Sequence, residues 1–293
     1  MEISFHAVYH IKRGVISVFF DCHTHTVHSD GKNTVSEMCM SAIEKGISGL
    51  TITDHADMNF YMERNTFSRI AASMESTTKA QESFGQNLKV LKGIELGEYT
   101  IAPRKAEEVL SIGGFDAVLC SVHFVPRAGW SLAYNRIDFQ NCMTSAEELN
   151  EYIGLYFDLL DETVDAFDFD ILAHIHCPVR YISGKWGRKS DIMIFEDKIC
   201  RILEKIIKRN IALELNTVYL KSREGQYNFS LDKILSLYKC LGGNMVTLGS
   251  DAHNRNDVAR NFADATSLLK ACGFDSVYYF ENRRPEKIML EKG

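Results

Sequence analysis

The chain has 293 residues, 45% hydrophobic and 25% charged, with 4 prolines and a formal net charge of −6. That length supports one large α/β domain or two smaller ones, and the ordinary composition excludes a disordered or fibrous protein. An acidic balance without blocks of like charge argues against a nucleic-acid surface, which needs a basic face, but leaves room for a small phosphorylated substrate held by local cations.

The first twenty residues are apolar in places, but His10, Lys12 and Arg13 interrupt them, so they do not read as a signal peptide. No run approaches the ~18–20 apolar residues of a membrane span. The eight cysteines show no CxxC pairs and no regular spacing. They read as reduced thiols of a cytoplasmic protein.

The chain then repeats one unit, a short apolar run ending in polar residues and followed by a helical pattern. The runs are 18–20, 50–52, 90–94, 117–119, 171–173, 211–215 and 246–248. Rich in Val, Ile, Leu and Phe, they suit strands buried on both faces. Between them, Thr34 with Glu37 forms a capping-box pattern opening a helix that stops at Gly46. An apolar stripe of helical spacing runs through 145–163, and 197–208 and 231–241 behave similarly. Strands alternating with helices predict a parallel sheet, and seven such units predict a barrel or near-barrel. No linker divides the chain, so 1–293 reads as a single domain.

In such folds the C-terminal strand ends converge on one mouth. His23 and His25, one residue apart, point to the same side of an extended strand. Asp30 follows in Ser29-Asp30-Gly31, then His55, Glu95, His123, His174 with His176, and Asp251 with His253. Each has an ordinary explanation alone: a structural histidine, a turn aspartate, an exposed glutamate. Together, seven of the ten histidines fall at or just after strand ends. Imidazoles and carboxylates so gathered are ligands of Zn²⁺, Mn²⁺ or Fe²⁺, which predicts a metal-dependent hydrolase. His6 and His10 read as surface residues, and His28 as an outer residue rather than a ligand.

With these motifs in place, the sequence resembles the polymerase-and-histidinol-phosphatase (PHP) superfamily. The matching elements are His23-Thr-His25 with Ser29-Asp30-Gly31, Thr53-Asp54-His55, Gly93-Ile94-Glu95, Ser121-Val122-His123, Leu172-Ala173-His174 and Gly249-Ser250-Asp251-Ala252-His253. The segment from Tyr279 to Pro285 further resembles the histidinol-phosphatase branch. The resemblance implies a distorted seven-stranded (βα)7 TIM-like barrel holding three divalent metals, Zn, Mn or Fe. By carry-over, His23, His25, Glu95 and Asp251 hold the first metal. Glu95 bridges to a second, completed by His123 and His174, and Asp30, His55 and His253 hold the third.

The implied reaction is hydrolysis of L-histidinol phosphate to L-histidinol and phosphate, the late phosphatase step of histidine biosynthesis. A hydroxide between two metals is the implied nucleophile, with Asp251 and Glu95 as the catalytic carboxylates. The alternative within the superfamily is another small phosphate monoester or a nucleotide. A non-catalytic PHP module and an amidohydrolase are further readings. The complete ligand set speaks against the first, and Glu95 in the bridging place of a lysine against the second. Arg180, Lys221, Arg223 and His176 are the expected phosphate and substrate binders. His176 stands where the family often has an aspartate, and the loop from Val218 to Arg223 departs from the family's small-residue loop. The insertion at 126–143, with Trp130, Tyr134 and Arg136, is a candidate cover for the mouth.

Overall fold

The computed structural model describes residues 17–60, 65–126, 133–188, 190–218, 220 and 230–291. In chain order they form β1 (Ser17–Thr24), α1 (Val35–Glu44), β2 (Ile47–Ile52), β3 (His55–Asp57), α2 (Thr66–Phe84), β4 (Lys89–Gly97), α3 (Pro103–Leu110), β5 (Ala117–Ser121) and α4 (Ala146–Ala166). There follow β6 (Ile171–Leu172), α5 (Cys177–Val179), α6 (Glu196–Lys208), β7 (Ala212–Asn216), α7 (Leu231–Cys240), β8 (Val246–Gly249), α8 (Phe262–Ala271), β9 (Ser276–Glu281) and β10 (Arg284–Met289).

All seven expected strands form, and β3, β9 and β10 add to them. The sheet runs β1-β2-β4-β5-β6-β7-β8-β9-β10, with β3 pairing β4. Every pairing from β1 to β9 is parallel, and only β10 lies antiparallel, on β9. The segment after β8 meets β1 through a parallel bridge between Thr24 and Ala252, where the His25 N–H donates to the Ala252 carbonyl at 2.9 Å. The additional strands have physical reasons for escaping an apolar-run search. β3 is three residues long, and β10 carries Pro285 and charged side chains on an exposed edge, as edge strands do.

Both capping boxes close helix N-termini as the chemistry requires. Thr34 accepts from the Glu37 N–H while Glu37 returns to the Thr34 N–H, and Ser145 with Glu148 repeats this on α4. All five residues of β5 and all five of β7 are buried, the pattern of strands covered on both faces. Inside the sheet, Cys22, Leu91, Ala117, Leu119, Ile171 and Ala212 pack as one apolar cluster. Next to Cys22, His23 reaches Glu95 and Glu214 in the same interior. The register of β1 against β2 shifts between Asp21 and Thr24, and such an irregularity breaks alternation and re-aims a side chain. Polar ends thus stack on an apolar floor. Among the described residues no helix is long and apolar enough to cross a membrane, and none of the eight cysteines is in a disulfide.

Candidate metal centre

The strand ends deliver nine expected residues to one place. Glu95, at 0% exposure, is the hub. Its Oε2 lies 3.2 Å from His23 Nε2, 3.5 Å from His25 Nε2 and 2.8 Å from His55 Nδ1. Its Oε1 lies 3.1 Å from His123 Nε2 and 2.8 Å from His174 Nε2. Asp251 Oδ1 stands 3.2 Å from His25 Nε2 and 3.9 Å from His23 Nε2. Toward the surface, Asp30 Oδ1 is 3.1 Å from His253 Nε2 and 3.5 Å from His55 Nε2.

The backbone is bent to achieve this. His174 (φ +20°) and Asp251 (φ +49°) both sit in the region that favours glycine. Such conformations cost about 1–3 kcal/mol each and persist where surrounding contacts fix them, commonly at functional sites. The turn carrying Asp30 is organised by Asp54, which accepts from the Thr26 N–H at 2.7 Å and from the hydroxyls of Ser29 and Ser73 at 2.6 Å each.

Donor atoms here converge without hydrogen-bond partners. His23 Nε2, His25 Nε2, His55 Nδ1 and Glu95 Oε2 are all buried and unsatisfied. An unsatisfied buried polar atom costs about 1–3 kcal/mol, a cost that a cation at the point of convergence removes. Among the described residues, five groups of donor atoms each lie within 4.8 Å of one another: His23, His25 and Glu95; His25, Asp30, His55 and His253; His123, His174 and Cys177; His23, His174 and Asp251; and His55, Asp57 and His123. The donors are those of a divalent metal centre, and the residues fit one. Cys177, buried beside His174, is a neighbour that motif reading does not anticipate.

Electrostatics point the same way. Burial disfavours the imidazolium of His23, yet Glu214, Glu95 and Asp251 outweigh it and raise its pKa well above the usual value. His55 is raised to about 9 against burial by Glu95, Asp57 and Asp30. His25, by contrast, is lowered to about 4 by burial and by its neighbours His55 and His253. Burial opposes ionisation of Asp251, but Arg180 and His23 hold its carboxyl well below the ordinary range. The carboxylates demand positive charge, and protonated histidines supply it only in competition with one another.

Arg180 reaches the cluster as expected. Buried at the start of a π-helical stretch, Arg180–Lys185, it donates through NH1 to Asp251 Oδ2 at 2.6 Å and to Asn216 Oδ1 at 3.3 Å. Such stretches recur at functional sites. His176 is buried, and burial with Arg180 and His174 nearby lowers its pKa to about 3. Lys221 and Arg223 lie outside the described residues, as do Trp130, His6 and His10. From the insertion, Ala133 and Tyr134 line the cavity over the cluster, together with Asn59, Phe60 and Tyr181. His28 is not part of the cluster and instead bonds to Ser76 Oγ through Nε2 at 2.9 Å.

Motif reading assigns no role to four carboxylates. Glu214 Oε1 accepts from His23 Nδ1 at 2.6 Å, and Asp57 Oδ1 accepts from His123 Nδ1 at 3.1 Å. Asp54 braces the Asp30 turn, and the buried Glu98 accepts from the His123 N–H. Burial and Asp57 raise the Glu98 pKa to about 8. The available signal is periodicity: Glu214 and Asn216 share a strand face, and a charge inside an apolar run needs a partner.

Comparison with known proteins agrees with this architecture. The PHP domain family profile matches residues 21–218. A Clostridium acetobutylicum protein named "Probable histidinol-phosphatase" is 28% identical over 266 residues, covering 90% of this chain and 97% of that protein. The Lactococcus lactis protein named "Histidinol-phosphatase" is 25% identical over 271 residues, covering 91% of this chain and 96% of its own. The crystal structure of the L. lactis histidinol phosphate phosphatase, complexed with zinc, L-histidinol and phosphate, aligns with a TM-score of 0.72 at 20% identity, covering 92% of this chain and 99% of that one. An α/β sheet that is mostly parallel, a buried cluster of histidines and carboxylates at its strand ends, and a profile match over most of the length place this chain in the PHP domain family.

Proposed function

We propose that the chain is a metal-dependent phosphomonoesterase that hydrolyses L-histidinol phosphate to L-histidinol and inorganic phosphate. The observation that carries the reading is Glu95, whose two oxygens lie within 3.5 Å of nitrogens from five histidines, with the Arg180 guanidinium held in the same pocket by Asp251. Relatives that span nearly the whole chain and carry the name histidinol-phosphatase supply the substrate.

His23, His25, Glu95 and Asp251 would hold one ion. Glu95, His123 and His174 would hold a second, and Asp30, His55 and His253 a third. Zn²⁺, Mn²⁺ and Fe²⁺ all suit such mixed shells. Divalent cations in such a centre supply a nucleophile at neutral pH and neutralise phosphate charge. The protein's part is orientation. Arg180 offers a planar fork to phosphate oxygens, a geometry that lysine cannot copy. Asp251, ionised beside Arg180, keeps that fork aimed and offers Oδ1 as a proton acceptor. Tyr134 and Tyr181 line the cavity, where their aromatic faces would suit the substrate's imidazole.

The test is phosphate release from L-histidinol phosphate by Zn²⁺- or Mn²⁺-loaded protein, beside a panel of other phosphomonoesters and nucleotides. A preference for L-histidinol phosphate, abolished in His25→Ala, is expected. Turnover confined to other panel members would discard the substrate and keep the metal chemistry; no turnover of any phosphoester would discard both.

A further inference from the structure

One buried carboxylate touches two of the candidate ligands without converging on the cluster itself. Glu214, on β7, is 2% exposed. Its Oε1 is 2.6 Å from His23 Nδ1. Its Oε2 accepts from the His174 backbone N–H at 2.7 Å and from Asn216 Nδ2 at 3.3 Å. An ionised carboxylate only accepts, so His23 Nδ1 donates to it, and Nε2, 3.2 Å from Glu95 Oε2, is the nitrogen left to offer a lone pair to a cation that displaces its proton. The second contact lands on the residue whose φ is +20°, fixing a backbone conformation that would otherwise relax.

The space for this carboxylate is provided by Gly249, at the end of the neighbouring strand β8. A Cβ there would stand 1.9 Å from Glu214 Oε1 and 2.8 Å from the His23 Cβ. Any larger residue would displace the glutamate or the histidine. Three strands, β1, β7 and β8, are thus packed around a single interaction.

We propose that Glu214 is a positioning residue for the metal centre, locking the His23 ring in its Nδ1–H tautomer and pinning the His174 backbone, so that one carboxylate orients two donors from different strands. The proposal rests on the metal-centre reading above and deepens it. Outer hydrogen-bond partners of this kind fix the orientation and basicity of a ligating histidine. Glutamine matches glutamate in size but has a single acceptor oxygen, and its NH₂ only donates. Glu214→Gln must therefore give up either the His23 or the His174 contact, or keep both by donating to His23 Nδ1 and forcing the ring into the Nε2–H tautomer that cannot ligate through Nε2, while leaving the packing in place.

The experiment strips the protein of metal and measures Zn²⁺ affinity by competition with a chromophoric chelator, with melting curves of the metal-free forms alongside. Glu214→Gln is expected to bind Zn²⁺ about 10- to 100-fold more weakly, with a metal-free melting temperature close to that of the parent. Unchanged Zn²⁺ affinity overturns the proposal. So does a lower metal-free melting temperature with unchanged affinity, which would make Glu214 a packing residue. If Glu214→Gln does not accumulate as folded protein, Glu214→Asp, whose shorter stem withdraws both oxygens, is judged by the same criteria. The readout needs no substrate: a parent that binds Zn²⁺ without releasing phosphate from L-histidinol phosphate sinks the substrate assignment and leaves Glu214 to be decided by its own variant. A parent that binds no Zn²⁺ sinks both.

Discussion

The inner and outer halves of the donor cluster are built on different principles. The inner residues, His23, His25, Glu95, His174 and Asp251, are at most 3% exposed. Three of them are braced by groups behind the cluster: Glu214 bonds to His23 Nδ1 and to the His174 N–H, and Arg180 bonds to Asp251. The outer residues are looser. The Asp30 side chain is 49% exposed and that of His253 33%, and their bond to each other stands at the mouth. A rigid inner half sets geometry in advance, while a solvated outer half can adjust to what enters.

The strongest way to break this contrast is at the hub. Glu95→Gln keeps the shape but halves the acceptor capacity facing five histidines, and should weaken metal binding by more than the roughly 10- to 100-fold typical of an outer partner. Metal content after dialysis checks this; retained stoichiometry would mean that the inner half is not the binding core. Next is Arg180. Arg180→Lys preserves charge without the fork and should raise KM for a phosphomonoester about 10- to 100-fold, the worth of a hydrogen bond to a charged group. An unchanged KM would show that the guanidinium serves only Asp251. Smallest is Asp30→Asn, expected to weaken metal affinity far less than Glu95→Gln does, because the amide keeps an oxygen donor on a half-exposed side chain that contacts two histidines rather than five. An effect as large as that of Glu95→Gln would erase the distinction between inner and outer halves.

Much of this architecture is legible in the amino-acid sequence, for reasons that are specific. Continuous apolar runs such as 117–119 and 246–248 announce strands buried on both faces, and β5 and β8 form over those runs. Histidines and carboxylates at run ends are unusual enough to add up. Helix α2 carries weaker signals: it is rich in Ser and Thr, and its N-cap Asn65 makes no side-chain cap. Glu214 stays hidden because it interrupts an apolar run and its partner is 191 residues away. Its meaning depends on β7 pairing with β8 in the register that sets Asn216 opposite Gly249. That register is a tertiary fact. Asp57 is hidden likewise, behind a three-residue strand and a glycine, Gly97, whose absent Cβ would stand 2.6 Å from its Oδ1.

The meeting of β1 with the segment after β8 has a consequence in time. The Asp21 carboxylate waits for the N–H of Ser250, 229 residues later, and His25 waits for Ala252. At about 5–20 residues per second of synthesis, the first histidines spend roughly 10–50 s outside the ribosome before their far wall exists. During that interval His23 and His25 are ordinary solvated imidazoles, open to any passing cation and committed to none. The centre therefore comes into being only when the segment after its eighth strand closes on its first.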